Sequence, residues 1–282
     1  MVTVADYKGL ESAWCPGCGN FGILNAVKQA LVGLGLEPHQ VLMVSGIGQA
    51  GKLPHYLKCN TFNSLHGRPV PPAIGAKCAN PELTVVAVSG DGDAYGEGGN
   101  HFIHAVRRNH DITYLVHNNQ VYGLTKGQAS PTSDIGFVTK TTLHGAPQPV
   151  SPLALAIVSG AGFVARGFAG DVELLTDIIK EAITHKGFSL VDILQPCVSF
   201  NRQNTYEWYR ERVFKLDAGY DTSDKMGAIE KALEWGETIP LGVLYREEKP
   251  AFEEQFPSLA EGPLVGRKIK PAGIRTLLDE FL

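Results

Sequence analysis

The chain has 282 residues, of which 44% are hydrophobic and 19% charged, and a formal net charge of −4. Such a chain can bury a sizeable core and is not disordered, and its charge gives no electrostatic reason to bind nucleic acid or an anionic membrane. No apolar run approaches the ~20 residues of a membrane-spanning helix.

The opening Met-Val-Thr-Val-Ala-Asp-Tyr-Lys lacks a signal-peptide profile. A cytoplasmic location is therefore expected, where five cysteines point to metal or redox chemistry more than to disulfides.

The predicted elements alternate. A helix is expected over Asn20–Leu34, capped by Asn20, striped by Ile23, Leu24, Val27 and Leu31, and ended by Gly35. Gln40–Val44 reads as a buried strand. A long glycine-rich loop, Gly46–Gly67, follows with little periodicity; a loop of that length is usually functional. Pro72–Ala79 is a short helix, Leu83–Val88 a strand, and Gly98–Asn109 a helix burying Phe102, Ile103 and Val106. Ile112–Val116 is the next strand, followed by a Gly-, Ser-, Thr- and Pro-rich loop from Asn118 to Phe137. Pro152–Ser159 is weakly helical, Gly162–Ala165 a strand, Asp171–His185 an amphipathic helix and Leu190–Leu194 a strong strand.

This alternation implies an α/β fold: a parallel sheet with helices on both faces. In such sheets the loops after the strands open on the carboxyl edge, where ligands bind. The Gly46 loop, Asp91, Asn119 and Cys197 each follow a strand directly. From Phe200 onward the sequence turns polar and aromatic. A helix is expected over Asp224–Trp235 and a short strand over Leu241–Tyr245. Residues 1–199 are therefore read as one ligand-binding α/β domain, and residues 200–282 as an irregular C-terminal extension that packs on the core or on a partner.

Gly90-Asp91-Gly92-Asp93 ends one strand and Asn118-Asn119 ends the next. A carboxylate and an amide oxygen placed this way can hold one hard cation, and Mg²⁺ completes its shell with phosphate and water. The glycines let a phosphate approach the backbone, and the main-chain oxygen of Val121 is placed to be a third ligand.

Together these stretches resemble the diphosphate–Mg²⁺ motif of thiamine diphosphate enzymes. More narrowly, the first ~200 residues resemble the β subunit of 2-oxoacid:ferredoxin oxidoreductases. The resemblance rests on Trp14-Cys15-Pro16-Gly17-Cys18-Gly19, Gly46-Ile47-Gly48, Leu65-His66-Gly67-Arg68, Gly90-Asp91-Gly92-Asp93 and Asn118-Asn119-Gln120-Val121-Tyr122-Gly123-Leu124-Thr125.

What the resemblance implies is oxidative decarboxylation of a 2-oxoacid on thiamine diphosphate, with the acyl group passing to coenzyme A and the electrons to ferredoxin through a [4Fe–4S] cluster. It implies a cofactor site of Ile47, Gly48, His66, Gly90, Asp91, Gly92, Asp93, Asn119, Val121, Gly123, Leu124 and Thr125, with Mg²⁺ on Asp91, Asn119 and Val121. Lys52 is expected to meet the substrate carboxylate and His66 to donate to phosphate. The implied partner is an α subunit that bears the pyrimidine-binding domain, forming a heterodimer. Two other readings use parts of the same pattern: the diphosphate half of a split decarboxylase or transketolase, which needs no cluster, and a non-catalytic metal–cysteine module, against which the Asp91–Asn119 pair argues.

A [4Fe–4S] cluster takes four thiolates. Cys15, Cys18 and Cys197 are the natural first three. The family usually places the fourth directly after Gly-Ile-Gly, but this chain has Gln49 there. Cys59, ten residues on in the same loop, is expected to serve instead. The alternative, Cys78, lies in a predicted packed helix, where a free cysteine behaves as a small hydrophobe.

Overall fold

The computed structural model describes residues 1–260, 262–268 and 272–281. Its strands, in chain order, are β1 (Val41–Ser45), β2 (Asn60–Asn63), β3 (Thr84–Gly90), β4 (Thr113–Asn118), β5 (Val121–Tyr122), β6 (Gln128–Ala129), β7 (Phe163–Phe168), β8 (Ser189–Leu194), β9 (Val213–Lys215) and β10 (Ile239–Arg246). Eight form one sheet in the order β2-β1-β3-β4-β8-β7-β10-β9, and β5 and β6 pair by themselves. All neighbours in the large sheet are parallel except β7 and β10, which run antiparallel. β4, β7 and β8 are buried at every residue, as central parallel strands covered on both faces must be.

The helices up to residue 233 are α1 (Asn20–Gly33), α2 (Val70–Ala79), α3 (Gly99–Arg108), α4 (Pro152–Ser159), α5 (Val172–Thr184), α6 (Tyr206–Arg210) and α7 (Lys225–Leu233). α1 and α5 cover one face of the sheet through Ile23, Val27, Leu31, Leu175, Ile178 and Ile179. α2, α3, α4 and α7 cover the other, with Ala73, Phe102, Val106, Leu153, Ile157 and Ala228. Burying each of the larger of these side chains contributes about 1.5–3 kcal/mol. α5 starts where Asp171 Oδ1 accepts from the Leu174 N–H at 3.1 Å, a cap worth about 1 kcal/mol. None of the described helices is long and apolar enough to cross a membrane.

Four expectations change. Asn20 does not cap α1; its Oδ1 lies 2.7 Å from His117 Nδ1 in the buried interior. Ile103 is exposed on α3, not buried. The Gly46–Gly67 stretch is not all loop: Ala50–Tyr56 forms a 3₁₀ helix, and β2 pairs parallel to β1. β2 is polar and exposed along its length, so it carries no alternating apolar signal. Finally, the C-terminal region is less irregular than its composition suggests. β10 and β9 complete the main sheet, and Ile239, Leu241 and Tyr209 close a core cluster with Phe168 and Leu194. The strand expected over Leu241–Tyr245 is present as β10 and runs longer, from Ile239 to Arg246.

Candidate active site

The parallel topology delivers the ends of β1, β3, β4 and β8 to one edge. There a single cavity is lined by Ile47, Gly48, His66, Gly90, Asp91, Gly92, Asp93, Asn119, Val121, Gly123, Leu124 and Thr125, joined by Gln49, Ala50 and Tyr122. Every residue expected to contact the cofactor thus meets the others in one place. Lys52 does not line it; it lies in the 3₁₀ helix after Gln49, half-buried.

Asp91 is 1% exposed. Burial pushes its carboxyl up to about 6, against hydrogen bonds from Ser130, Thr132 and the Asn119 N–H that favour the charged form. The Thr132 hydroxyl lies 2.7 Å from Asp91 Oδ2 and 2.9 Å from Asn118 Oδ1. Strand alternation separates the two asparagines. Asn118 turns inward and its Nδ2 donates to Asp192 at 3.1 and 3.2 Å, while Asn119 turns to the cavity and its Oδ1 accepts from the Val121 N–H at 3.1 Å. A buried carboxylate, an amide oxygen and an adjacent main-chain oxygen suit a hard divalent cation.

Asp93 has a different job. Its Oδ1 accepts from Ile47 N–H at 3.1 Å and Gly67 N–H at 2.8 Å, and Ser89 Oγ donates to its Oδ2 at 2.6 Å. It thereby ties the two glycine loops to the end of β3. His66 Nδ1 lies 3.2 Å from both Asp93 Oδ1 and Glu97 Oε2, which holds the ring at the rim. Gly46 is required here, because a Cβ would fall 1.8 Å from Asp93 Oδ2. After β3 the chain enters a π-helical turn, Gly92–Glu97, before α3. The helical N–H groups nearest the cavity are therefore those of this turn. Thr125 bonds within its own turn, Oγ1 lying 2.6 Å from Gln128 Oε1.

A second cavity adjoins the first. Cys15, Cys18 and Cys197 line it together with Trp14, Asn20, Gln49 and Gln195, and Asn119 and Gly123 belong to both cavities. Burial pushes the Cys18 thiol up to about 11, a cost that binding to a metal would reverse. Cys59 is not there, which corrects the expectation that it completes the set. In the β1–β2 register Asn60 pairs with Leu42, so Cys59 stands level with the start of β1. The five residues of β1, each rising about 3.3 Å, separate it from the site edge. Its Sγ donates to the Asn60 main-chain oxygen at 3.3 Å, and it packs into the core on the α1 face. A strand hidden in the loop carried it away. Cys78 is also elsewhere, grouped with His110 and Glu253. Four-cysteine ligation therefore does not fit this chain.

Thr132 and the corner filled by Gln49 were not foreseen as functional. Thr132 lies in a Ser- and Thr-rich stretch 13 residues beyond Asn119 that carries no motif signal. Gln49 was visible only as a departure.

Residues 40–193 match the family model described as thiamine pyrophosphate enzyme, C-terminal TPP binding domain. Residues 197–261 match the C-terminal model of the pyruvate ferredoxin oxidoreductase beta subunit. The chain is 48% identical over 283 residues to a 2-oxoacid:ferredoxin oxidoreductase subunit beta from Saccharolobus solfataricus, with 92% of each chain covered. It is 46% identical over 267 residues to a 2-oxoacid:ferredoxin oxidoreductase 1 subunit beta from Aeropyrum pernix, covering 90% of this chain and 84% of the relative. A solved 2-oxoglutarate:ferredoxin oxidoreductase from Magnetococcus marinus, with 2-oxoglutarate, coenzyme A and succinyl-CoA bound, superposes with a TM-score of 0.91 at 37% identity, covering 98% of this chain and 96% of that one.

Proposed function

This chain belongs to the β subunits of 2-oxoacid:ferredoxin oxidoreductases, and from that premise we propose that its site-edge cavity binds the diphosphate of thiamine diphosphate through Mg²⁺ and serves the oxidative decarboxylation of a 2-oxoacid to an acyl-CoA and CO₂. Electrons leave to ferredoxin. The observation that carries this reading is the fully buried Asp91 carboxyl facing Asn119 across a glycine-lined cavity.

Asp91, Asn119 and the Val121 main-chain oxygen hold the Mg²⁺. Gly90, Gly92 and Gly123 keep the cavity wall free of side-chain atoms where the diphosphate lies, and Thr125 and His66 donate to its oxygens. Asp93 fixes the loop bearing Ile47 and Gly48 against the cofactor. Lys52, outside the cavity lining, is assigned the substrate carboxylate as a point charge, which favours a small or acidic 2-oxoacid, and Leu124 bounds the substrate side chain. Bound thiamine diphosphate supplies the carbanion chemistry; the protein supplies orientation and electrostatics.

A partner completes the site. This chain encloses only ≈ 70 Å³ there, against roughly 300–1,000 Å³ for small-molecule pockets, and Ile47, Leu65 and Leu124 stand exposed around it. An α subunit that brings the pyrimidine-binding domain accounts for both. The cysteine-lined cavity shares Gln49, Asn119 and Gly123 with this one, a proximity suited to single-electron transfer to an iron–sulfur group, and a cytoplasmic setting suits such a group.

The test is to co-express the chain with its partner subunit, strip the cofactor, and follow viologen reduction by several 2-oxoacids with coenzyme A. Activity must return only when Mg²⁺ and thiamine diphosphate are both restored. Activity in the stripped complex without either would sink the proposal.

A further inference from the structure

Three thiols and one amide meet in the cysteine-lined cavity. Cys15, Cys18 and Cys197 line it, and Gln49 stands on the side shared with the diphosphate cavity. Three amide atoms of the residues lining it are buried with no hydrogen-bond partner among the described residues: Asn20 Nδ2, Gln49 Oε1 and Gln195 Oε1. Asn20 and Gln195 are each 1% exposed. A buried polar atom left unpaired is costly, so three around one small cavity point to a ligand with polar atoms of its own. Thiols merely packed as core would not need such a lining. Gln195 Nε2 and Ser199 Oγ already lie 3.5 and 3.2 Å from the sulfurs of Cys18 and Cys15, the kind of contact that tunes a thiolate-bound centre.

We propose that this cavity holds an iron–sulfur cluster anchored by only three thiolates, those of Cys15, Cys18 and Cys197, whose fourth iron faces Gln49 and has no thiolate. The proposal rests on the redox function assigned above. An amide oxygen is a hard donor and competes poorly for an iron already bound by sulfide, which soft thiolates suit. That iron is therefore exchangeable. Because Gln49, Asn119 and Gly123 line both cavities, the exchangeable corner is the one turned towards the diphosphate.

The test uses the complex with its partner subunit, purified without oxygen, assayed for iron and zinc, and then treated with ferricyanide. One-electron oxidation of a [4Fe–4S]²⁺ core with release of one Fe²⁺ leaves [3Fe–4S]⁺, which is EPR-active where its parent is silent. The wild-type complex is expected to lose one iron of four, to show the three-iron signal, and to lose that signal when Fe²⁺ is returned with a reductant. Gln49→Cys supplies the missing thiolate and is expected to retain all its iron and give no signal. Cys59→Ser is expected to behave as wild type. The wild-type measurement stands by itself if Gln49→Cys does not fold. Full iron retention without a three-iron signal in the wild type overturns the proposal, as does a Cys59→Ser complex that carries less iron than wild type before ferricyanide is added, or isolation with zinc in place of iron. Calorimetric binding of Mg²⁺–thiamine diphosphate to the same preparations separates the two readings. Binding with no iron present defeats the cluster alone, whereas absence of binding defeats the function proposed above.

Discussion

The Thr132 hydroxyl bridges Asp91 and Asn118, lying 2.7 Å from the carboxylate of one and 2.9 Å from the amide oxygen of the other. It thereby links the proposed metal ligand to the buried Asn118–Asp192 pair beneath it. A hydroxyl carries one proton, so it donates to one of these oxygens at a time. Such a group orients a ligand without touching the metal. Thr132→Val should weaken Mg²⁺–thiamine diphosphate binding by about 10–100-fold, the usual cost of losing an outer partner, while Thr132→Ser should restore it. Calorimetry on the stripped complex measures both.

Asp91→Asn should be harsher on the cofactor and kinder to the fold. Losing the carboxylate removes the one charged metal ligand, so cofactor affinity should fall by more than the ~100-fold upper range for outer partners. The cofactor-free protein, by contrast, should melt no lower than wild type at neutral pH, because a buried charge has been removed. Thermal melts with and without cofactor separate the two effects; a large drop in the cofactor-free melt would contradict this account.

The pH dependence follows from the same carboxyl. Its folded pKa is raised from 3.8 to about 6. In the cofactor-free protein the stability Asp91 contributes is therefore fully present below 3.8, where it is protonated in both states, and is lost as pH rises through about 6. Metal binding needs the ionised form. The gain in melting temperature on adding Mg²⁺ and thiamine diphosphate should thus be small below pH ~5 and grow as pH passes ~6 towards neutrality, with Asp91→Asn showing no such rise.

Gly46→Ala should damage the site from outside it. The added Cβ would meet Asp93 Oδ2 at 1.8 Å, so either the carboxylate gives up its bonds to Ile47 and Gly67 or the loop moves. We expect a loss of roughly 1–3 kcal/mol, typical of overpacking, read from denaturant melts, together with weaker cofactor binding.

Truncation after residue 199 should not yield a folded core. It removes β10, leaving the edge of β7 unpaired, and strips Tyr209, Ile239 and Leu241 from Phe168 and Leu194. Exposed apolar edges of this kind associate. The fragment should be insoluble, or lack the cooperative melt of the whole chain; a soluble fragment with a native-like melt would refute this.

Much of the site was legible because strand ends are. Apolar runs at 84–90 and 113–118 mark buried parallel strands, and the residues just past them fall on one edge whatever the details of packing. Thr132 was not legible, since nothing local tells which hydroxyl of a polar loop will fold back under a carboxylate 41 residues earlier. Cys59 was misplaced for a related reason. An exposed edge strand with no apolar alternation reads as loop, yet main-chain pairing with β1 moved the cysteine by the length of a strand.

The sequence by itself determined the alternation of strand and helix, the edge at which ligands gather, and the chemical type of each group there, because periodicity and composition are local properties. Only the tertiary structure decided which cysteines meet, that Gln49 lines the cavity they form, and that the last strands belong to the main sheet. Those facts depend on pairings between distant segments, whose free energy comes from main-chain hydrogen bonds and buried area that no short stretch of residues contains.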